Sequence, residues 1–382
     1  MKAMTQVIEW TAGAGSLLLA FELGERWWKL GFTTGLGQRA RTRRIAAGAV
    51  GLMLTEIAQA KRRFGLPSDA PVLSCYEAGR EGFWLHRYLT AHGVSNHVID
   101  SSSIEVNRRA RRHKTDQLDL GGLLTLLARY QAGDRRCWRV VRVPSVENED
   151  ARQLHRTRET LQGDRTRWIN RLKATLATLG VRLGIRRKFL ARLDAVVCAD
   201  GTPLPPGARQ RLTRDWALLQ AVEQQLAEVD AERAALPIER TTPTGRAVHT
   251  LHGLRAVGPA GAWVLATEIF GWREIRNGRQ LGALVGLVPA QYQSGETARD
   301  RGITRAGNQH VRRLMVQLAW GGLRWQPNSA LAQWYQQRFA GGGPRLRRIG
   351  IVALARKLLV ALWRYVDHGI VPEGAVLKSP AA

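Results

Sequence analysis

Over the first third of the chain, short apolar runs alternate with helical repeats. "SLLLAFELGERWWKLGFT" (16–33) predicts two strands around a turn at Gly24-Glu25-Arg26, the second running from Trp28 to Thr33. "IAAGAVGLMLTEIAQAKRRFGL" (45–66) has helical spacing and predicts a helix that ends at Gly65. "APVLSCYEA" (70–78) predicts a third strand, "GFWLHRYLTAHG" (82–93) a helix closed by Gly93, and "SNHVID" (95–100) another short strand. "TDQLDLGGLLTLLARY" (115–130) predicts a helix with Thr115 as its N-cap. Strands alternating with helices give an α/β domain over 15–145.

The pattern then changes to long helices. Leu154, Leu161, Trp168, Ile169, Leu172, Leu176 and Leu179 form an apolar stripe over 150–182. After the Pro/Gly linker "ADGTPLPPGA" (199–208), Leu212, Trp216, Leu219, Leu226 and Val229 repeat at three, four and seven. The two stripes predict an antiparallel helical hairpin or coiled coil over 146–236. A second linker, "PIERTTPTGR" (237–246), leads into a mainly helical region over 247–370. That region opens on helix, glycine turn and helix, a helix-hairpin-helix-like segment in which the N–H groups after Gly258 offer a weak candidate site for a phosphate. "GGGP" (341–344) reads as a flexible joint, and the last ten or so residues read as disordered.

Charge narrows the partner. The 382 residues carry 58 Lys+Arg against 31 Asp+Glu, a net charge of +27 and a pI near 11.4. Such an excess favours a polyanion, with nucleic acid the default. An anionic membrane surface fits less well, because neither terminus carries a basic amphipathic helix with a strong apolar face. No transmembrane span is evident: "GIVALARKLLVALW" (350–363) is short and interrupted by Arg356 and Lys357. The three cysteines, Cys75, Cys137 and Cys198, match no zinc spacing and no disulfide framework, which fits a reducing cytoplasm.

Candidate chemistry rests on four acids. Glu22 lies near the end of the first strand, inside "LLAFEL", where a buried carboxylate requires a partner. Glu77 follows the third strand, and Asp116 and Asp119 share one helix face at i and i+3. Carboxylates at strand C-termini and an adjoining helix converge at one edge of an α/β sheet. Clustered carboxylates stay ionised only with cations between them, and magnesium suits all-oxygen ligands. Two such ions about 4 Å apart clamp the attacking and leaving oxygens of a phosphodiester. The plainer alternative is that Asp116 and Asp119 stabilise a helix N-terminus and that Glu77 is a surface residue. Lys114 flanks the aspartates and offers a phosphate contact.

These segments together resemble a known family. The order is an acid on the first strand, "YEAGREGFWLHRYLTAHG" (76–93), "KTDQLDLGGLL" (114–124), and far downstream "LGALVGLVPAQYQSGETARDRGITRAGNQHVRRLMVQLAW" (281–320). In this order they resemble the transposases of the insertion sequence 110 family, the DEDD transposases. The resemblance implies a RuvC-like, RNase H-type α/β N-terminal domain, a coiled-coil middle and a helical C-terminal transposase domain. It places the acid tetrad on Glu22, Glu77, Asp116 and Asp119, with two magnesium ions. The family usually has Asp at the first position, and Glu22 stands there in this chain; Glu25 is the substitute ligand. The family's serine nucleophile falls on Ser294 of "YQSGETARDRG"; no obvious base stands beside it, and Glu296 and His310 are unremarkable candidates. Read alone, Ser294 before Gly is an ordinary turn serine. Arg299, Arg301, Arg305, Arg312 and Arg313 surround it in sequence and match bidentate phosphate contacts.

The resemblance further implies a DNA recombinase that excises and inserts its own element, guided to donor and target DNA by an element-encoded non-coding RNA. It also implies a homodimer that pairs into a tetramer, in the cytoplasm. Two readings compete. A RuvC-like nuclease or junction resolvase would use the same acids with water as nucleophile. A decayed transposase would bind nucleic acid without cutting it.

Overall fold

The computed structural model describes residues 15–104, 116–236, 238–294 and 297–378, with the backbone alone described at 102, 116–119, 291–294 and 297–301. Lys114, Thr115 and Glu296 lie outside the described residues. The chain divides into two compact units, 1–143 and 144–382.

The first unit is a mixed five-stranded sheet. Its strands are β1 (Leu17–Leu23), β2 (Trp27–Thr33), β3 (Arg41–Ala46), β4 (Val72–Glu77) and β5 (Val94–Ile99), in the order β3-β2-β1-β4-β5. β1, β2 and β3 pair antiparallel, whereas β4 runs parallel to β1 and β5 parallel to β4. Successive side chains on a strand face opposite ways. Leu17, Leu19 and Phe21 therefore enter one core, with residues of α1 (Val50–Arg63) and α2 (Trp84–Ala91). Leu18 and Ala20 enter the other, with Leu120, Leu123, Leu124 and Leu127 of α3 (Asp116–Gln131). Burial on both faces explains why β1 reads as a continuous apolar run. At Gly31 the helix α3 lies directly on the sheet: a Cβ there would stand 2.9 Å from Leu120.

β3 corrects the reading of residues 45–66 as one helix. Its sequence RTRRIA buries only Ile45, as befits an edge strand guarded by basic residues. Arg41 ties that edge to α1 through Glu56 at 2.7 Å and Gln59 at 3.1 Å. The helix itself starts at Val50.

The second unit begins with α4 (Val146–Asp150) and the long α5 (Gln153–Ala177). A short α6 (Phe189–Leu193) links it to α7 (Pro206–Ala235). Ion pairs Arg158–Asp230, Arg165–Glu223 and Arg171–Asp215 step in opposite directions along α5 and α7, so the pair is antiparallel. Full burial is concentrated where α6 closes the pair, around Leu172, Leu176, Phe189, Leu193, Leu212 and Leu219.

The remainder packs α8 (Pro243–His252), α9 (Pro259–Leu265), α10 (Gly278–Val285), α11 (Gln309–Trp325), α12 (Ala330–Tyr335) and α13 (Pro344–His368) around one core. A two-stranded hairpin, β6 (Pro289–Ser294) and β7 (Thr297–Ile303), interrupts the helices. Helical periodicity had hidden it, because the strands are short and polar. Two further expectations are corrected. "GGGP" is a tight joint: Gly343 caps α13, Pro344 starts it, and a Cβ on Gly342 would clash with Leu346. Near the chain end, Lys378 is tied to the helices: its Nζ donates to the carbonyls of His252 and Val257. Among the described residues no helix is long and apolar enough to cross a membrane.

Candidate active site

The pairing of β1 with β4 brings two acids side by side. The last pair in their parallel register is Phe21 with Tyr76, and one step further stand Glu22 and Glu77. Both lie at strand C-terminal ends. By alternation Glu22 shares its face with Leu18 and Ala20, and Glu77 shares its face with Leu73 and Cys75. All four apolar residues belong to the core under α3, so both acids belong to the face that α3 covers.

α3 begins at Asp116. Positions 116 and 119 precede the buried Leu120 and Leu123 by four residues, so the helical repeat puts them on the same stripe. Among the described residues, no group of three or more His, Cys, Asp or Glu gathers in metal-binding range.

Glu22 is not the buried carboxylate that its apolar context implied. Its side chain is 30% exposed, and Oε2 stands 3.8 Å from Nζ of Lys29, its cross-strand partner on β2. The strand end leaves the core at this point, so the side chain as a whole is half-buried, although Oε2 itself is shielded from solvent. Glu25, the substitute ligand, is engaged elsewhere. Arg80 donates to it at 3.2 Å, and that hydrogen bond and charge hold its carboxyl below the usual range. Beside Glu77, burial and then the Glu77 charge push the Cys75 thiol well up, so Cys75 is an inert core residue.

Ser294 is the last residue of β6. The hairpin is held at its base by two glycines that let backbones meet. Gly286 (φ +71°) and Gly307 (φ +84°) both adopt the left-handed region. A Cβ on Gly286 would lie 2.0 Å from the Ala306 oxygen, and one on Gly307 2.1 Å from the Leu284 oxygen. Asn308 follows, donating its backbone N–H to Leu284 at 2.8 Å and capping α11 by accepting from Val311 N–H at 3.0 Å. The segment "AGN" is thus a crossing point that the fold requires. Gly307→Ala is expected to destabilise this unit by roughly 2 kcal/mol or more, from strain and the backbone clash together, read as a lower midpoint in urea unfolding.

The predicted phosphate-binding arginines separate into groups. Arg312 donates to the carbonyls of Val285 (2.9 Å) and Ala306 (3.3 Å), which braces the same crossing. Arg313 and His310 both engage Glu159 of α5. Arg305 is exposed, at φ +55°. The side chains of Arg299 and Arg301 lie outside the described residues.

Sequence reasoning missed a buried charge cluster in this unit. Glu268, only 1% exposed, accepts from His155 (2.8 Å), from Arg156 (2.8 and 3.0 Å) and from Asn308 Nδ2 (2.8 Å). Burial pushes its carboxyl up, but the hydrogen bonds and charges of His155 and Arg156 win and hold it far below the usual range. The signal was present as one acid inside the apolar "VLATEIF" (264–270). The cluster fastens the start of α5 to α11 and to the turn of helix after α9.

Comparison with known proteins identifies the family of the chain. A family model described as Transposase, of the DEDD IS110 type, matches residues 37–180, which include Glu77, Asp116 and Asp119. A second, described as Transposase IS116/IS110/IS902 family, matches residues 248–335, which include Ser294 and the glycine crossing. The putative transposase y4rJ of Sinorhizobium fredii is 37% identical over 381 aligned positions, covering 96% of each chain. The probable family 20 transposase of Pseudomonas aeruginosa is 28% identical, covering 62% of this chain and 69% of its own. The transposase for insertion sequence element IS1328 of Yersinia enterocolitica is 27% identical, covering 60% and 66%. The DEDD domain of these proteins has an RNase H-like fold, and the mixed sheet under α3 agrees with it. With one relative matched along nearly its whole length and both family models in order, this chain belongs to the IS110 family of insertion-sequence transposases.

Proposed function

We propose that the protein cuts and rejoins DNA through Ser294, with Glu22, Glu77, Asp116 and Asp119 holding divalent cations. The observation that carries this reading is the register that sets Glu22 beside Glu77 at the ends of parallel strands, on the face under α3. The donor set is all-oxygen and anionic, which fits magnesium, and Glu supplies the same carboxylate as Asp at the first position. Bound there, the cations would supply charge neutralisation at the phosphodiester.

Ser294 Oγ loses its proton and bonds to phosphorus, and one P–O bond of the DNA backbone breaks. The strand then ends as a serine phosphodiester on one side and a protonated hydroxyl on the other. Attack by the hydroxyl of a second strand reverses these events and restores the serine, so the ester is conserved and rejoining needs no external energy. Lys114, Arg299, Arg301 and Arg305 supply phosphate contacts, whereas Arg312 and Arg313 act mainly in the fold. The charge of +27 supports a nucleic-acid partner, and the reading includes an element-encoded guide RNA. It also includes two ions, a homodimer pairing to a tetramer, a coiled-coil role for the α5–α7 arm, and the three segments 15–145, 146–236 and 247–370 as domains.

Covalent trapping tests the chemistry. Protein, element-end RNA, labelled donor and target DNA and magnesium are combined and run on a denaturing gel. Wild type is expected to give a slow protein–DNA band that Ser294→Ala lacks. Cleaved DNA without an adduct, unchanged in Ser294→Ala, would replace this reading with a nuclease that uses water.

A further inference from the structure

One face of α13 lines a cleft of about 1710 Å3 in the second unit. Its walls are α12, the chain from Ile370 to Glu373, and the base of the β6–β7 hairpin at Pro289, Gly302 and Ile303. Six cations line it: Arg305, Arg345, Arg348, Arg356, Lys357 and Arg364, against one carboxylate, Glu373. None of the six has an ion pair among the described residues.

Five of these cations lie on α13, at successive spacings of three, eight, one and seven, which spreads them over about half of the helix surface. Between them the same surface carries Ile349, Val352 and Val360. Ile349 is 52% exposed, and Ile370 across the cleft is 56% exposed. Trp334 of α12 stands in the wall with Lys357 Nζ 4.7 Å from its ring centre. The opposite face of α13, with Ile351, Leu354 and Leu362, is buried in the core. The helix therefore spends one face on folding and keeps a second, mixed basic and apolar, in the open for ~28 Å, at 1.5 Å per residue.

We infer that this cleft binds an unpaired DNA strand continuous with the strand that Ser294 attacks. Cations spaced along an apolar and aromatic floor suit a chain of phosphates with exposed bases. A duplex buries its bases and leaves such a floor unused. A second copy of this chain is disfavoured, because a symmetric contact would set the six cations against themselves. The hairpin whose first strand ends at Ser294 contributes Pro289, Gly302 and Ile303 to the wall of the cleft, which is the link between the cleft and the serine. This last step rests on the reading of Ser294 given above; binding in the cleft does not require its chemistry.

The test uses full-length Ser294→Ala protein, so that binding is read without cleavage. Fluorescence anisotropy follows a labelled 12-nucleotide single-stranded DNA, the same sequence as RNA, and a blunt duplex, across a range of salt. The exposed pair Arg345→Gln/Arg348→Gln is expected to weaken single-stranded DNA roughly ten-fold near physiological salt and to reduce the log–log salt slope by about 1.4, at about 0.7 per phosphate. Ile349→Ser is expected to weaken the single strand several-fold with its salt slope unchanged and duplex binding unchanged. Iodouridine photocrosslinks are expected on peptides within 330–372. Equal losses on duplex or on RNA, competition by polyglutamate as strong as by DNA, unchanged binding, or crosslinks confined elsewhere would each overturn the inference. Because no cleavage is read, these outcomes are independent of whether wild type forms the serine adduct.

Discussion

Glu77→Gln is expected to lower magnesium-dependent DNA cleavage on the order of a thousand-fold while leaving DNA affinity nearly unchanged. Gln keeps the shape of the side chain but loses the charge that holds a cation, so stabilisation of the phosphodiester transition state is lost. Glu77 is exposed at the end of β4, so its stability change is measured alongside by urea unfolding. Loss of activity with intact unfolding and intact binding thus reports on chemistry. Glu77→Asp, one methylene shorter, is expected to retain part of the rate at raised magnesium. Cleavage timed on labelled donor DNA reads both variants. A Gln variant that cuts at the wild-type rate would remove Glu77 from the tetrad.

The second large effect is thermodynamic. Glu268→Gln leaves Arg156 and His155 around a neutral group in the core of the second unit. Breaking one side of a buried ion pair costs about 3–5 kcal/mol, and the partial exposure of Arg156 favours the lower end. For a unit of this size the transition should fall by roughly 6–12 °C, measured by calorimetry near neutral pH. The sign of the pH dependence follows from the depressed carboxyl of Glu268. Its stabilisation is complete above the ordinary carboxylate value and is lost as pH falls toward the folded value. Wild type and Glu268→Gln should therefore differ most near neutrality and converge in acid. A constant gap across that range would mean that packing, not charge, dominates at the site.

The candidate site was legible where its residues obeyed local rules. Glu22 and Glu77 stood out as acids terminating apolar strands, and those strands run at 17–23 and 72–77. What the sequence did not show was their adjacency, because β1 pairs with β4 across some fifty intervening residues and parallel pairing leaves no local mark. The motif "GITRAGN" was conspicuous as a string, but its reason lies in two backbone crossings at Gly286 and Gly307 that no periodicity encodes. Arg312 and Arg313 looked like phosphate ligands because arginine carries the same charge in either role. Only the positions of Val285 and Ala306 carbonyls and of Glu159 assign them to the fold.

By itself the sequence determined the class of this protein: an α/β region, two long helices, a helical C-terminal region and a charge that calls for a polyanion. Those properties follow from hydrophobic period and composition, which are local or additive. Tertiary structure decided which distant residues meet. It made RTRRIA an edge strand, turned Glu268 into a buried clasp for α5, and gave α13 a second, open face above a basic cleft. Each of these depends on what packs against a segment rather than on the segment itself. Burial and charge pairing are properties of contacts between residues far apart in the chain, and only the folded chain creates them.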